Sequence, residues 1–309
     1  MKQNEIGVIL NISLIIAEPN PVNNAIASSR NTTSVTLSWD KPLDSKPEYT
    51  YKVTLSGHLP IMITGTEFVT VAQLNPGTGY TFSVFTLAAD NTSADPVYVS
   101  STTVPSKPGA IAVMALSNIS ISLSLGRPVD MGDTQYNFSI IYGSASSSDV
   151  SFNEITNSTK IQDLQSGTNY TISVTTVVQG GVKSEAVVLN QFTKPNPVNN
   201  AIASSRNTTS VTLSWDKPLD SKPEYTYKVT LSGHLPIMIT GNEFVTVAQL
   251  TPGTGYTFSV FTLAADNTSA DPVNVSSTTG KDTNCFNRSF SLTKVDCLIC
   301  SKSYNHVFK

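Results

Sequence analysis

Residues 20–42 read NPVNNAIASSRNTTSVTLSWDKP, and residues 196–218 read the same 23 letters. Within the stretch, Val35, Leu37 and Trp39 alternate with Thr36 and Ser38. A period of two puts the apolar side chains on one face of a strand and the hydroxyls on the other. Pro42 ends the run, because proline has no amide hydrogen to give to a ladder. Outward from here, Tyr51, Val53 and Leu55 repeat the alternation, as do Tyr80, Phe82 and Val84. Pro42, Pro47, Gly57, Pro60, Gly65, Pro76, Gly77 and Pro96 punctuate these runs. No segment carries a helical period. Several short strands with regular turns, in about 90 residues, predict an antiparallel β-sandwich.

The quoted stretch belongs to a longer repeat. Residues 19–103 match residues 195–279 at every position but three, where Thr66, Asn75 and Tyr98 face Asn242, Thr251 and Asn274. Between the copies lies a diverged version: SISLSLGRP at 120–128 lines up with SVTLSWDKP at 34–42, and LQSGTNYTISVTT at 164–176 with LNPGTGYTFSVFT at 74–86. A repeat of this length marks a transplantable unit. The chain therefore divides into three modules, 18–104, 105–193 and 194–280, preceded by residues 1–17 and followed by a tail, 281–309.

A Trp ending an early strand, followed by Leu-x-Pro-Gly-Thr-x-Tyr, resembles the fibronectin type III pattern. Trp39 with Leu74–Tyr80, and Trp215 with Leu250–Tyr256, carry it. The resemblance implies an all-β chain of three tandem fibronectin type III, immunoglobulin-like sandwiches in an extended array. It implies that Trp39 and Trp215 fill the space between two sheets. It also implies that Tyr80, Tyr170 and Tyr256 form corners in which a phenol hydroxyl bonds nearby backbone. The middle module departs from the pattern, with Leu125 where the Trp belongs. Phe138 and Tyr136 are the candidates to make up the lost volume.

Charged residues are only 13% of the chain, against about a quarter in average soluble proteins. The net charge is -3 with no basic block, which argues against nucleic acid as a partner. No apolar run has the length of a membrane span; the longest, IGVILNISLIIA at 6–17, is interrupted by Asn11 and Ser13. Residues 1–17 read either as a secretion signal or as a truncated strand of a preceding domain. Eleven Asn-x-Ser/Thr acceptors point to the secretory pathway: Asn11, Asn31, Asn91, Asn118, Asn137, Asn157, Asn169, Asn207, Asn267, Asn274 and Asn287. Asn169 directly precedes the corner Tyr170, and Asn11 and Asn287 lie outside the modules. The best glycosylation candidates are therefore Asn31, Asn91, Asn118, Asn137, Asn157, Asn207, Asn267 and Asn274.

Chemistry-bearing motifs are sparse. There is neither a Gly-rich phosphate loop nor a Gly-x-Ser-x-Gly elbow. His58 and His234, the same position in two copies, read as solvated turn residues. Asp130 and Asp133 lack the further oxygen ligands of a calcium site. Cys285, Cys297 and Cys300 with His306 leave three readings open: a zinc-compatible set, one disulfide with an odd thiol, or a disordered tail. No catalytic residue, cofactor, metal or small-molecule substrate is expected.

The sugar-rich tandem modules most resemble the ectodomain of a receptor-type tyrosine phosphatase. The nucleophile loop of that activity, His-Cys-x5-Arg, is not matched by any of the three cysteines. The expectation is a non-catalytic extracellular binding or spacer array, a fragment or secreted form of such an ectodomain, with a protein or cell-surface partner. The alternative is a cell-adhesion or matrix protein. The loop 88–96 contains no Arg-Gly-Asp, which argues against integrin binding by that route.

Overall fold

The computed structural model describes residues 18–55, 62–145, 147–154, 156–231 and 238–281. In the first module, seven strands follow one another: β1 (Asn23–Arg30), β2 (Val35–Asp40), β3 (Thr50–Leu55), β4 (Met62–Thr64), β5 (Phe68–Val71), β6 (Gly79–Leu87) and β7 (Val97–Thr102). They form two antiparallel sheets, in the orders β1-β2-β5 and β4-β3-β6-β7. The second module has β8 (Ile111–Leu116), β9 (Ile121–Leu125), β10 (Tyr136–Ser144), β11 (Ser147–Glu154), β12 (Ser158–Ile161), β13 (Asn169–Val178) and β14 (Val187–Phe192). The third has β15 (Asn199–Arg206), β16 (Val211–Asp216), β17 (Thr226–Leu231), β18 (Met238–Thr240), β19 (Phe244–Val247), β20 (Gly255–Leu263) and β21 (Val273–Thr278). Each repeats the three-plus-four arrangement, so the chain is all-β in three sandwiches.

Alternation decides which side chains enter each core. On β2, Val35, Leu37 and Trp39 are buried, while Thr36 and Ser38 are only half-buried. Tyr51 and Val53 of β3 and Phe82 and Val84 of β6 meet them from the other sheet. Trp39 stands edge-on to Tyr51, ring centroids 5.3 Å apart, and Trp215 repeats this with Tyr227 at 5.4 Å. Edge-to-face contact of this kind adds about 0.5–1.5 kcal/mol beyond the area buried.

The middle core solves the same problem with different residues. Leu125 is 2% exposed and joins Ile121 and Leu123 on the β9 inner face. Phe138 stands where the other modules have Tyr51 and Tyr227. It takes its edge-on aromatic contact from Tyr136, at 5.5 Å, instead of from a tryptophan. The edge contact that a tryptophan supplies in the other modules thus comes here from within the four-stranded sheet.

A corner closes each sandwich. The backbone N–H of Asn75 donates to the Tyr80 hydroxyl at 2.8 Å, that of Gln165 to Tyr170 at 2.9 Å, and that of Thr251 to Tyr256 at 2.9 Å. A second clasp lies beside it. The Thr103 hydroxyl accepts from the Thr78 N–H and donates to the Asn75 carbonyl; Thr193 and Thr279 do the same in their modules. These three threonines are buried, and both ends of each clasp are satisfied.

Candidate interaction surface

The extensive strand-to-strand packing all lies inside modules, and the joints are made by loops. At the first joint, the corner glycine Gly77 has a left-handed φ of 63° and lies against the second module. A Cβ there would come within 2.7 Å of Met131 Cε and 2.9 Å of Val178 Cγ1. Thr78 and Thr134 hydroxyls meet across it at 3.4 Å.

The second joint is polar and more closely fitted. Gly167, φ 51°, lies directly under the ring and hydroxyl of Tyr225. Lys222 Nζ donates to the Gly167 carbonyl and to the Thr168 hydroxyl, both at 2.7 Å. An amide relay runs alongside: Asn118 Nδ2 donates to Asn196 Oδ1 at 2.7 Å, and Asn196 Nδ2 to Asp220 Oδ1 at 2.9 Å. The linker residue Lys194 reaches Asp271 at 2.6 Å.

Because the first and third modules are nearly identical, the same loop is seen both without and with a module seated on it. In the first module Tyr49 donates its hydroxyl to Asp44 Oδ2 at 3.1 Å, and Lys46 Nζ sits 5.6 Å from the Tyr49 ring. In the third, the corresponding Tyr225 has exchanged that bond for contact with Gly167, and Asp220 accepts from Asn196 instead; Tyr49 is itself buried, so what the joint changes is the partner of the phenol rather than its exposure. Tyr225 is 5% exposed. Its pKa is pushed up to about 12, first by burial, then by the negative charge of Asp220. Ser166 lies near enough to ease this rise, yet neither its hydroxyl nor that of Tyr225 completes a well-formed hydrogen bond.

The candidate glycan acceptors fall at distinct places. Asn31 and Asn207 are exposed between the first two strands of their modules, and each side-chain carbonyl accepts from the N–H groups two and three residues on. Asn91 and Asn267 are exposed in the turn after β6 and β20, with φ of 66° and 68°. Asn157 is exposed just before β12. Asn118 differs from these, because its amide is committed to the second joint. Asn137 on β10, Asn169 on β13 and Asn274 on β21 are exposed on the outer faces of four-stranded sheets. The Ser259 hydroxyl donates to Asn274 Oδ1 at 2.7 Å.

Asp130, φ 58°, and Asp133 lie in the turns between β9 and β10, where Met131 reaches the first joint. His58, His234, Asn11, Asn287, Cys285, Cys297 and Cys300 lie outside the described residues. Among the described residues, no helix is long and apolar enough to cross a membrane. The sequence reading did not find the clasp threonines or the Tyr225 seat. The only signal for the former is a Thr directly after each module's last strand; the latter has none, since Tyr49 has the same neighbours in sequence.

The fibronectin type III domain pattern matches residues 20–100, 106–191 and 196–279. The chain is 32% identical over 268 residues to the receptor-type tyrosine-protein phosphatase eta of Gallus gallus, covering 83% of this chain and 18% of that protein. It is 31% identical over 255 residues to the receptor-type tyrosine-protein phosphatase H of Homo sapiens, covering 79% and 22%. To the tenascin-R of Gallus gallus it is 28% identical over 278 residues, covering 84% and 20%. The chain thus spans about a fifth of the length of these relatives.

Proposed function

The chain belongs to the fibronectin type III family, and on that premise we propose that it is a non-catalytic extracellular array, part or a secreted form of a receptor-type tyrosine phosphatase ectodomain, that spaces and presents protein-binding surfaces. The seated second joint carries this reading. A corner glycine fitted under Tyr225, with Lys222 capping its carbonyl, fixes one module on the next at a defined angle. Such a joint serves reach and presentation, and it uses loops that an enzyme of this fold would spend on a pocket. The exposed Asn-x-Ser/Thr acceptors and the low charge support a secretory route. The tenascin-R similarity supports a second reading, a matrix or adhesion protein built from the same modules.

Secretion from animal cells tests the extracellular part. The product should run well above 33.0 kDa and fall toward that mass after enzymatic removal of N-linked sugar. An unshifted band sinks it. The choice between the two readings is tested on the transcript: a membrane span followed by His-Cys-x5-Arg in frame supports the phosphatase ectodomain, and further adhesion modules with neither support the matrix protein.

A further inference from the structure

Of the three positions at which residues 19–103 differ from 195–279, only one lies in a strand: Tyr98 of β7 against Asn274 of β21. Both point outward from the edge of a four-stranded sheet, paired with Ser83 and Ser259. On that outer face of the first module, Ile63, Phe85 and Tyr98 stand as an apolar and aromatic cluster among hydroxyl side chains such as Thr50, Thr54, Thr81 and Ser100. Ile63 is 68% exposed and Tyr98 67%. Ile63 pairs with Lys52, and Lys52 with Phe85, so the three cross β4, β3 and β6 in one row. Lys52 Nζ lies 4.3 Å from the centre of the Phe85 ring. Tyr98 of β7 sits beside that row, opposite Ser83 of β6. Among the described residues, Lys52 is the one charged side chain carried by the four strands of this face, and it is in none of the ion pairs there; Arg30 of β1 reaches the β7 edge, where its guanidinium donates to the Thr102 carbonyl.

The other two modules carry glycan acceptors on the corresponding face: Asn137 and Asn169 in the second, Asn274 in the third. The acceptors of the first module, Asn31 and Asn91, lie in turns. The third module keeps the rest of the surface, with Lys228 Nζ 4.5 Å from the Phe261 ring and Ile239 exposed. A sugar at Asn274 stands where Tyr98 offers its ring.

We propose that the outer face of the four-stranded sheet in the first module docks an acidic, apolar protein segment, and that glycans on the same face of the other modules confine docking to it. The segment sets a carboxylate against Lys52 and an aliphatic or aromatic side chain between Phe85 and Tyr98. A cation already held over a ring keeps its remaining donors for an anion, and exposed aromatics supply contact area at low entropic cost. Charge complementarity selects an acidic partner over a second copy, because a two-fold contact brings Lys52 toward its own mate with no anion on either face. The confinement by glycans rests on the extracellular reading above; the docking face itself does not.

The test uses the full chain made in two ways: secreted from animal cells, with sugars mapped at Asn137, Asn169 and Asn274, and produced in bacteria without sugars. Each is panned against a library of random displayed peptides. The expected clones pair Asp or Glu with Phe, Leu or Val. Their binding falls about tenfold or more with Lys52→Glu and survives Lys52→Arg. Tyr98→Asn, which with Val99 and Ser100 completes an Asn-x-Ser acceptor, abolishes binding in the secreted protein. Asn274→Tyr adds a second site of similar affinity. Clones indifferent to Lys52→Glu and Tyr98→Asn, or the absence of any acidic clones, overturn the docking face. Secreted protein with bare Asn137, Asn169 and Asn274 overturns the confinement alone.

Discussion

Gly167 of the second module lies beneath Tyr225 of the third, so close that a Cβ at 167 has no room beside the phenol hydroxyl. Gly167→Ala should therefore act twice. Alanine at a φ of 51° costs about 1–2 kcal/mol in the second module, and the methyl displaces Tyr225. Tyr225→Ala empties the other side of the contact and also removes packing inside the third module, for which Tyr49→Ala, buried to a similar degree without a joint, is the control. Both variants should broaden the distribution of inter-module distances in small-angle scattering. Tyr49→Ala, the same change in the unseated copy, should leave it unaltered. Identical profiles for wild type and Tyr225→Ala count against a seated joint.

The same contact predicts an alkaline limit. Tyr225 ordinarily ionises near 10.0, and in the joint near about 12, because burial disfavours the phenolate. The folded, docked form holds the proton more tightly. Its stabilising contribution is thus complete below about pH 10 and is lost as pH rises toward about 12. A gap of that size corresponds to about 3 kcal/mol. Tyr225→Phe should remove this part of the alkaline loss, followed by tyrosinate absorbance and by scattering. Burial also raises Tyr51 and Tyr227 inside their modules, so some alkaline destabilisation persists in the variant. An unchanged titration refutes the assignment.

Cores should respond by position rather than by residue size alone. Trp39→Ala and Trp215→Ala should each cost about 3–5 kcal/mol, and equally, because their surroundings match. Leu125→Ala should cost about 2–5 kcal/mol. Placing the family's aromatic at this position should not help. Tyr136 already supplies the edge contact to Phe138, so Leu125→Trp overpacks the site and costs about 1–3 kcal/mol. Chemical denaturation of the full chain, read per transition, distinguishes these outcomes. A stabilised Leu125→Trp shows that the middle core holds unfilled space.

What the sequence made legible is what acts over short range. The alternation of Val35, Leu37 and Trp39 names a buried face without reference to any partner. The corner hydroxyl of Tyr80 reaches only five residues back, to Asn75, within one quoted motif. The Thr103 clasp spans 25 and 28 residues, and nothing near Thr103 announces it. The joint is further from reach still. Tyr49 and Tyr225 have the same neighbours in sequence, yet one bonds Asp44 and the other lies under a different module. Surroundings supplied by another module leave no mark on the local pattern. The outer sheet face is legible only by comparing copies, since Tyr98 alone is an ordinary exposed strand residue.

One core position invites improvement by subtraction. Thr86, Thr176 and Thr262 are fully buried at corresponding places on β6, β13 and β20, and their hydroxyls have no hydrogen-bond partner among the described residues. A buried hydroxyl without a partner forfeits its bonds to water and costs about 1–3 kcal/mol. Valine has nearly the same shape and the same preference for a strand. Thr86→Val should therefore stabilise the first module by about 1 kcal/mol or more, with no change in the mass, secretion or scattering of the chain. Thr262→Val should do the same for the third. The measurement is the denaturant midpoint of each module's transition at constant slope. A midpoint that falls with Thr86→Val means the hydroxyl is bonded after all, and the position is then a polar fastening of the core rather than a gap in it.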